Sequence, residues 1–484
     1  MSMNLARDSL KIFFARVVTS FASFGAVIVF SRELGADTLG VYYPFVALLG
    51  ILALPTDFGL SLAVEKRISE GEDRPQYFAG GGLIRLFLLI IFSFPIYLFQ
   101  TQISTYIGTN VGSILIIALW SRVSADFSLG ILKGELRVGE TAAIRVLQPL
   151  IWLTIGYALI SIGYGVDGII YSHILGTIAV FVVASWRISI QPAIPEWTHI
   201  RSLFDFSKFS FINAIGGTIY SWMDVIILTV FVSLEIASSR GEIGAYENAW
   251  RVSLLVIFVS SSIGQVIFPQ ISQWNARNET SKIEQVLAKA IIPGLVIVLP
   301  AFVGALIFSE EILIHLFGNE FAVAAPALII LVGLRFFQAI DAIYGRMVDA
   351  LDRPDLTMIS TIVAIVINLL LNIILIYILG ILGAAIATTS AVIVKTYIDV
   401  HYMRSFIEIK IPYRILGWSF FSSVIMGVAL YLFSTNIPVD SLTELLVLIS
   451  GGVGIYVFVL LVYNPVRGSL WELIKPLVSS TRQN

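Results

Sequence analysis

Thirteen ionisable side chains lie inside long apolar stretches of this chain. The bases are Arg16, Arg85, Arg122, Arg145, Arg251, Arg335 and Lys395; the acids are Asp57, Asp126, Asp224, Glu247, Asp341 and Asp399. A charge held in hydrocarbon is costly, from about 3 to 17 kcal/mol for an Arg at the bilayer centre. Each must therefore meet a partner of opposite sign or face a watery space through which something polar passes. Arg122–Asp126, Glu247–Arg251 and Lys395–Asp399 are each four apart, which puts both members on one helix face, where they neutralise each other or face a cavity together. Arg16 and Arg335 have no acid at helical spacing. They lead a set of bases, with Arg122, Arg251 and Lys395, that could hold an anionic headgroup, Arg being suited to bidentate phosphate contact. Arg85 and Arg145 open their spans at the cytoplasmic side, where long side chains snorkel to the interface. Asp57 follows Pro55 and precedes Gly59 at a predicted helix break, and Asp224 adjoins Trp222 and Met223. Either acid could take up a proton or cation, or pair with an Arg across the cavity. His173 reads as a hydrogen-bonded packing residue. Tyr42, Tyr43, Tyr246 and Trp250 read as an aromatic belt near the outer interface, with ring stacking on a ligand as the sharper alternative. Bases and acids nearly balance, so a wholly cationic cavity does not follow.

The elements that position these groups are set by hydropathy. Hydrophobic residues make up 57% and charged residues 13% of the 484 positions, whereas soluble domains carry about 25% charge. A hydrocarbon core asks for roughly 20 apolar residues per helical span. We place spans at 11–31, 39–63, 79–99, 109–131, 142–162, 166–186, 206–233, 243–269, 289–308, 324–346, 358–379, 383–403, 412–434 and 441–463. Segments this long, with their backbone groups satisfied internally, are helices and not barrel strands. The first apolar run, preceded by Arg7 and Lys11, lacks a convincing small-residue cleavage site and is taken as a span that stays. Cysteine is absent, which excludes disulfides, thiolate-held zinc and iron–sulfur clusters. No metal site is expected, and without a G-x-x-x-x-G-K-[ST] loop no nucleotide is implied. No cofactor is expected. No basic tail exists to bind nucleic acid.

The distribution of Lys and Arg tests the span count. With the N-terminus in the cytoplasm, only Arg32 and Arg240 of the 30 bases fall in outside loops. Apart from the seven within spans, all the others fall inside, and one missed span would scramble that pattern. Both termini are therefore expected in the cytoplasm. The chain also repeats itself. Gly40-Val41-Tyr42 opens the second span and Gly244-Ala245-Tyr246 the eighth; Pro95 matches Pro300, Arg122 matches Arg335, and Gly165 and Gly168 match Gly380 and Gly383. The offset drifts in one direction along the chain. Six spans per repeat leave both copies facing the same way, a parallel pseudo-repeat about an axis along the membrane normal. The organisation expected is a six-helix lobe over 1–186, a cytoplasmic linker over 187–205 with Pro192, Pro195 and Trp197, a second six-helix lobe over 206–403, and two further helices with a tail over 404–484.

With Ser31-Arg32-Glu33-Leu34-Gly35, Gly40-Val41-Tyr42, Asp57-Phe58-Gly59-Leu60 and the Gly380…Gly383-Ala384-Ala385 hairpin, this layout resembles the polysaccharide-export branch of the multidrug/oligosaccharidyl-lipid/polysaccharide superfamily. The resemblance implies two lobes around a V-shaped cavity that opens alternately to each side. It implies flipping of a polyprenyl- or dolichyl-(di)phosphate-linked oligosaccharide across the cell membrane for surface-glycan synthesis. The partners expected are that lipid-linked glycan and membrane lipids, with the chain working as a monomer. A multidrug or cation antiporter of the same superfamily is the alternative and would favour a cavity centred on Asp57 and Asp224. A membrane glycosyltransferase or polymerase ranks last, because the outside loops are too short for a catalytic domain.

Overall fold

The computed structural model describes residues 2–351, 353–409, 412–435, 439–464 and 467; the tail bearing Lys475 and Arg482 lies outside the described residues, as does Lys410. Helices form the described chain, which packs as two units, residues 1–244 and 245–484. The first unit contains α1 (Ser2–Asp57), α2 (Leu60–Glu70), α3 (Arg74–Leu98), α4 (Gln100–Ile107), α5 (Gly112–Gly134), α6 (Val138–Arg145), α7 (Leu147–Ser161), α8 (Gly165–Arg187) and α9 (Trp197–Ser233). It also takes in the first turn of α10 (Arg240–Ala276). The second unit holds the rest of α10, then α11 (Thr280–Phe317), a 3₁₀ turn at Asn319–Ala324, α12 (Ala325–Ala350), α13 (Pro354–Leu379), α14 (Ile381–Met403), α15 (Tyr413–Ser434) and α16 (Leu442–Val462).

Among the described residues 13 helices are long and apolar enough to cross a membrane. The first of them is two spans in one, because α1 is broken at Gly35, whose φ of 76° and ψ of 176° are not helical. This gives about fourteen spans at roughly 20 residues each, as the hydropathy requires. The protein is a multi-pass membrane protein. On α13 the exposed stripe Ile362, Val366, Leu370, Ile373 and Tyr377 follows helical spacing, as a lipid-facing surface should.

Several elements differ from expectation where hydropathy falls. Residues 101–108, read as a connection, form most of the short helix α4. Residues 197–205, read as linker, are the first turns of α9. The Glu196 N–H donates to His199 Nδ1 at 3.1 Å, and His199 Nε2 reaches the Asp73 carboxylate at 3.2 Å. This satisfies backbone donors at the helix start and ties α9 to the start of α3. From there α9 packs against α1, α2, α3 and α4, inside the first unit. The second span breaks at Phe58 (φ 47°) and Gly59 (φ 74°) before α2 continues. A side chain on Gly59 would lie 2.7 Å from the Ser207 carbonyl and 2.9 Å from the Phe211 nitrogen, so only glycine lets α9 approach there.

Gly40 and Gly244, paired by the repeat, meet at the end of the first unit that the charge pattern puts outside. A Cβ on Gly40 would run into the Arg240 carbonyl, and one on Gly244 into the Ala36 carbonyl. The Arg240 guanidinium caps α4, donating to the carbonyls of Ile107, Thr105 (3.3 Å) and Tyr106 (3.5 Å), where a cation complements the helix dipole. In the second unit α15 and α16 pack on each other and on α11. Tyr456 on α16 donates to the Val296 carbonyl at 2.7 Å, and the Trp418 indole to Val459 at 3.0 Å.

Candidate functional site

In the first unit the intramembrane charges sort themselves by contacts across helices. Asp126 turns away from Arg122, its neighbour at helical spacing, and meets Arg145 of α6 at 3.6 Å. The expected Arg122–Asp126 neutralisation therefore gives way to an α5–α6 tie. Arg122 is half-buried and has no hydrogen-bond or ion-pair partner among the described residues. Its guanidinium lies by Gly50 of α1, where a built Cβ would stand 3.9 Å from Arg122 Nη1 and 3.3 Å from Trp222 Nε1 of α9. The Trp222 indole N–H likewise has no described partner. Two donors from different helices, neither with a hydrogen-bond partner among the described residues, thus approach one glycine that leaves space beside it. Donors held this way suit an oxyanion, because hydrogen bonds to a charged acceptor are about twice as strong as neutral ones.

Asp57 belongs to a different structure. Arg85 does not snorkel: its side chain is 3% exposed and pairs with Asp57. It also donates to Ser61 Oγ at 3.0 Å and lies 4.3 Å from the centre of the Phe127 ring. The Ser61 hydroxyl donates to Asp57 at 2.6 Å. The three residues span the break between α1 and α2 and brace it from α3. Asp224, the other acid proposed for ion uptake, is buried and engaged on α9. His173 meets the Tyr42 hydroxyl at 2.9 Å, and Tyr42 stacks on Trp152 at 5.5 Å between ring centres. Tyr42, Tyr43 and Tyr246 are buried, so they are packing residues and not an interfacial belt. Arg16 sits on an exposed face of α1.

The second unit treats its bases differently. Arg335, expected to be open to an anion, is fully buried. Its Nε and one Nη take the Ser253 hydroxyl as acceptor, at 3.2 and 2.6 Å, its other Nη pairs with Gln338, and its guanidinium lies 4.3 Å from the Trp250 ring centre. Its environment is thus unlike that of its repeat mate Arg122. Glu247 and Arg251 pair along one face of α10 at 3.0 Å. Lys395 of α14 donates to Asp341 of α12 at 2.6 Å and to Asp399 at 2.7 Å. Sequence spacing found the Glu247–Arg251 and Lys395–Asp399 pairs. It allowed Asp57 an arginine partner without naming Arg85, and it missed Trp222, because both roles depend on which helix lies opposite.

Comparison with known proteins places this geometry in a family. The family described as polysaccharide biosynthesis protein matches residues 29–326. A protein of Haloferax volcanii named probable low-salt glycan biosynthesis flippase Agl15 is 39% identical, over 98% of this chain and all of its own length. A second from the same organism, named probable flippase AglR, is 28% identical over 94% of this chain and 95% of its own. In fold, the chain is similar to lipid II flippase MurJ in an inward closed conformation, with a TM-score of 0.77 at 18% identity, covering 98% of this chain and 100% of the other. The chain belongs to the polysaccharide biosynthesis protein family, in the polysaccharide-export branch of its superfamily.

Proposed function

We propose that this protein is a flippase that moves a polyprenyl- or dolichyl-(di)phosphate-linked oligosaccharide from the cytoplasmic to the outer leaflet of the cell membrane. The observation that carries this reading within the molecule is the pair of donors Arg122 and Trp222, without hydrogen-bond partners among the described residues and both within 4 Å of a Cβ built on Gly50. Sugar hydroxyls and phosphate do not cross hydrocarbon unaided. A guanidinium and an indole N–H at that depth replace the water that a phosphate and its first sugar lose, while the lipid tail stays in the bilayer. The names of the Haloferax relatives support the same substrate class. Arg16 and Arg251 join the path in this reading through states in which their present contacts open, whereas Lys395 stays held between Asp341 and Asp399.

The two lobes rock in alternating access, both termini lie in the cytoplasm, and one chain suffices, with no nucleic-acid partner. For an anion leaving a negative interior the membrane potential supplies about 2.3 kcal/mol per charge per 100 mV, so the chain needs no nucleotide to give direction. The test is reconstitution in vesicles with a fluorescent polyprenyl-phosphate sugar, following its accessibility to an external quencher. Protein-bearing vesicles should expose the inner-leaflet pool within minutes. Accessibility equal to that of protein-free vesicles would overturn the reading.

A further inference from the structure

The second unit contains a charge arrangement that anion transport does not use. Lys395 sits between two carboxylates, 2.6 Å from Asp341 and 2.7 Å from Asp399. Asp399 is wholly buried and also accepts the Ser360 hydroxyl. Asp341 is 26% exposed and lines a cavity of about 340 Å³ with Ser261, Gln338, Gly345, Thr357 and Lys395. Gly345 leaves the approach clear: a Cβ there would stand 2.8 Å from Asp341 Oδ1 and 3.4 Å from Asp399 Oδ2. The Thr357 hydroxyl at the cavity wall is buried with no hydrogen-bond partner among the described residues.

Counting charges around this cavity leaves an excess. Arg346 and Asp349 of α12, both exposed, also line it and offset each other formally. From α10 and α13 come Ile257, Ser261 and Thr357, with Ser360 behind them, none of them charged; α11 contributes no lining residue. Among the described lining residues two carboxylates therefore share one ammonium, and one negative charge remains in an apolar stretch, where it is costly. A metal ion is poorly placed to cancel it. The Lys395 ammonium already occupies the position between the carboxylate oxygens and would repel a second cation. A proton has no such conflict, since its uptake leaves one ammonium and one carboxylate.

We propose that the Asp341–Lys395–Asp399 triad takes up one proton from this cavity and releases it once per transport cycle. The proton forms an O–H bond on one of the two carboxyl groups and belongs to the pair, not to either residue; on release it returns to water, and no other bond changes. Glycan export is then coupled to proton movement in addition to membrane potential. The transport arm of this inference rests on the flippase reading above.

The experiment uses the full chain in vesicles, with potential clamped by potassium and valinomycin and a fluorescent polyprenyl-phosphate sugar as probe. The flipping rate of the unsubstituted protein should respond to a pH gradient. Asp341→Asn and Asp399→Asn should each lose that response, because each fixes a one-to-one pair, while Asp341→Glu keeps it. Flipping by the unsubstituted protein that ignores the gradient, or a retained response in either Asn variant, overturns the proposal. Absence of flipping in every vesicle counts against the flippase reading instead. The triad is then judged by proton uptake of purified protein in unbuffered detergent. The unsubstituted chain should bind one proton more than Asp341→Asn over its transporting pH range, and equal uptake refutes the site. Should buried Asp399→Asn fail to accumulate, Asp341→Asn at the cavity wall decides alone.

Discussion

At the scale of single residues, two arginines matched by the internal repeat make opposite predictions. Arg122 has no described partner and lies by Gly50 and Trp222. Arg122→Ala should accumulate normally in membranes and lose flipping about tenfold to a hundredfold, since hydrogen bonds to charged groups are worth about 1.5–3 kcal/mol. Arg122→Lys should fall between, an ammonium being a point charge without the bidentate fork. Arg335 is fully buried against Ser253, Gln338 and Trp250. Arg335→Ala strands those polar groups at about 1–3 kcal/mol each and empties the space over the indole, so it should lower membrane abundance before it touches the rate per molecule. Immunoblotting beside a vesicle flipping assay separates the two effects; a well-expressed, inactive Arg335→Ala would return this residue to the headgroup site. The sequence could not distinguish these arginines. Spacing along one helix offered Asp126 to Arg122 and no acid to Arg335. The contacts that decided the matter come from α6 in one case and from α10 in the other.

At the scale of elements, the break between α1 and α2 is held by a strut and by a missing side chain. Asp57 and Ser61 take the Arg85 guanidinium, and Gly59 admits α9. Removing one partner of a buried pair costs about 3–5 kcal/mol, because the other charge is left stranded. Asp57→Asn should therefore reduce the folded yield in detergent, measured by size-exclusion chromatography, and pairing it with Arg85→Met should recover part of that loss. A single Asp57→Asn with full yield and altered ion dependence would point back to Asp57 as a coupling acid. Hydropathy read the long spans because burial in lipid is what makes them helical. It passed over α4 and the first turns of α9, where polar residues are interleaved and the helix is fixed by local hydrogen bonds such as Glu196 to His199. The hairpin at Gly380 was readable for a different reason: Gly380 takes φ 57°, and Gly383 packs against the Leu375 backbone too closely for any side chain.

At the scale of the whole molecule, the charge bias predicts the orientation. Reporters inserted in 65–78 and 271–288 should be cytoplasmic, and those in 101–108 and 309–322 external; a cytoplasmic signal from 309–322 would refute the span order. The seam of Gly40 and Gly244 bears on a property that has nothing to do with the cargo. Where the Gly40 backbone touches the Arg240 carbonyl and that of Gly244 touches Ala36, the gap is too narrow for a water molecule, let alone a hydrated ion. On the flippase reading, a contact this tight would also bar small ions. Any side chain at this seam should raise its permeability: vesicles bearing Gly40→Val should lose a trapped sodium gradient, read with an ion-sensitive dye, faster than vesicles bearing the unsubstituted protein. Two hydrogen atoms in place of two methyl groups are what let these backbones close on each other within the first unit.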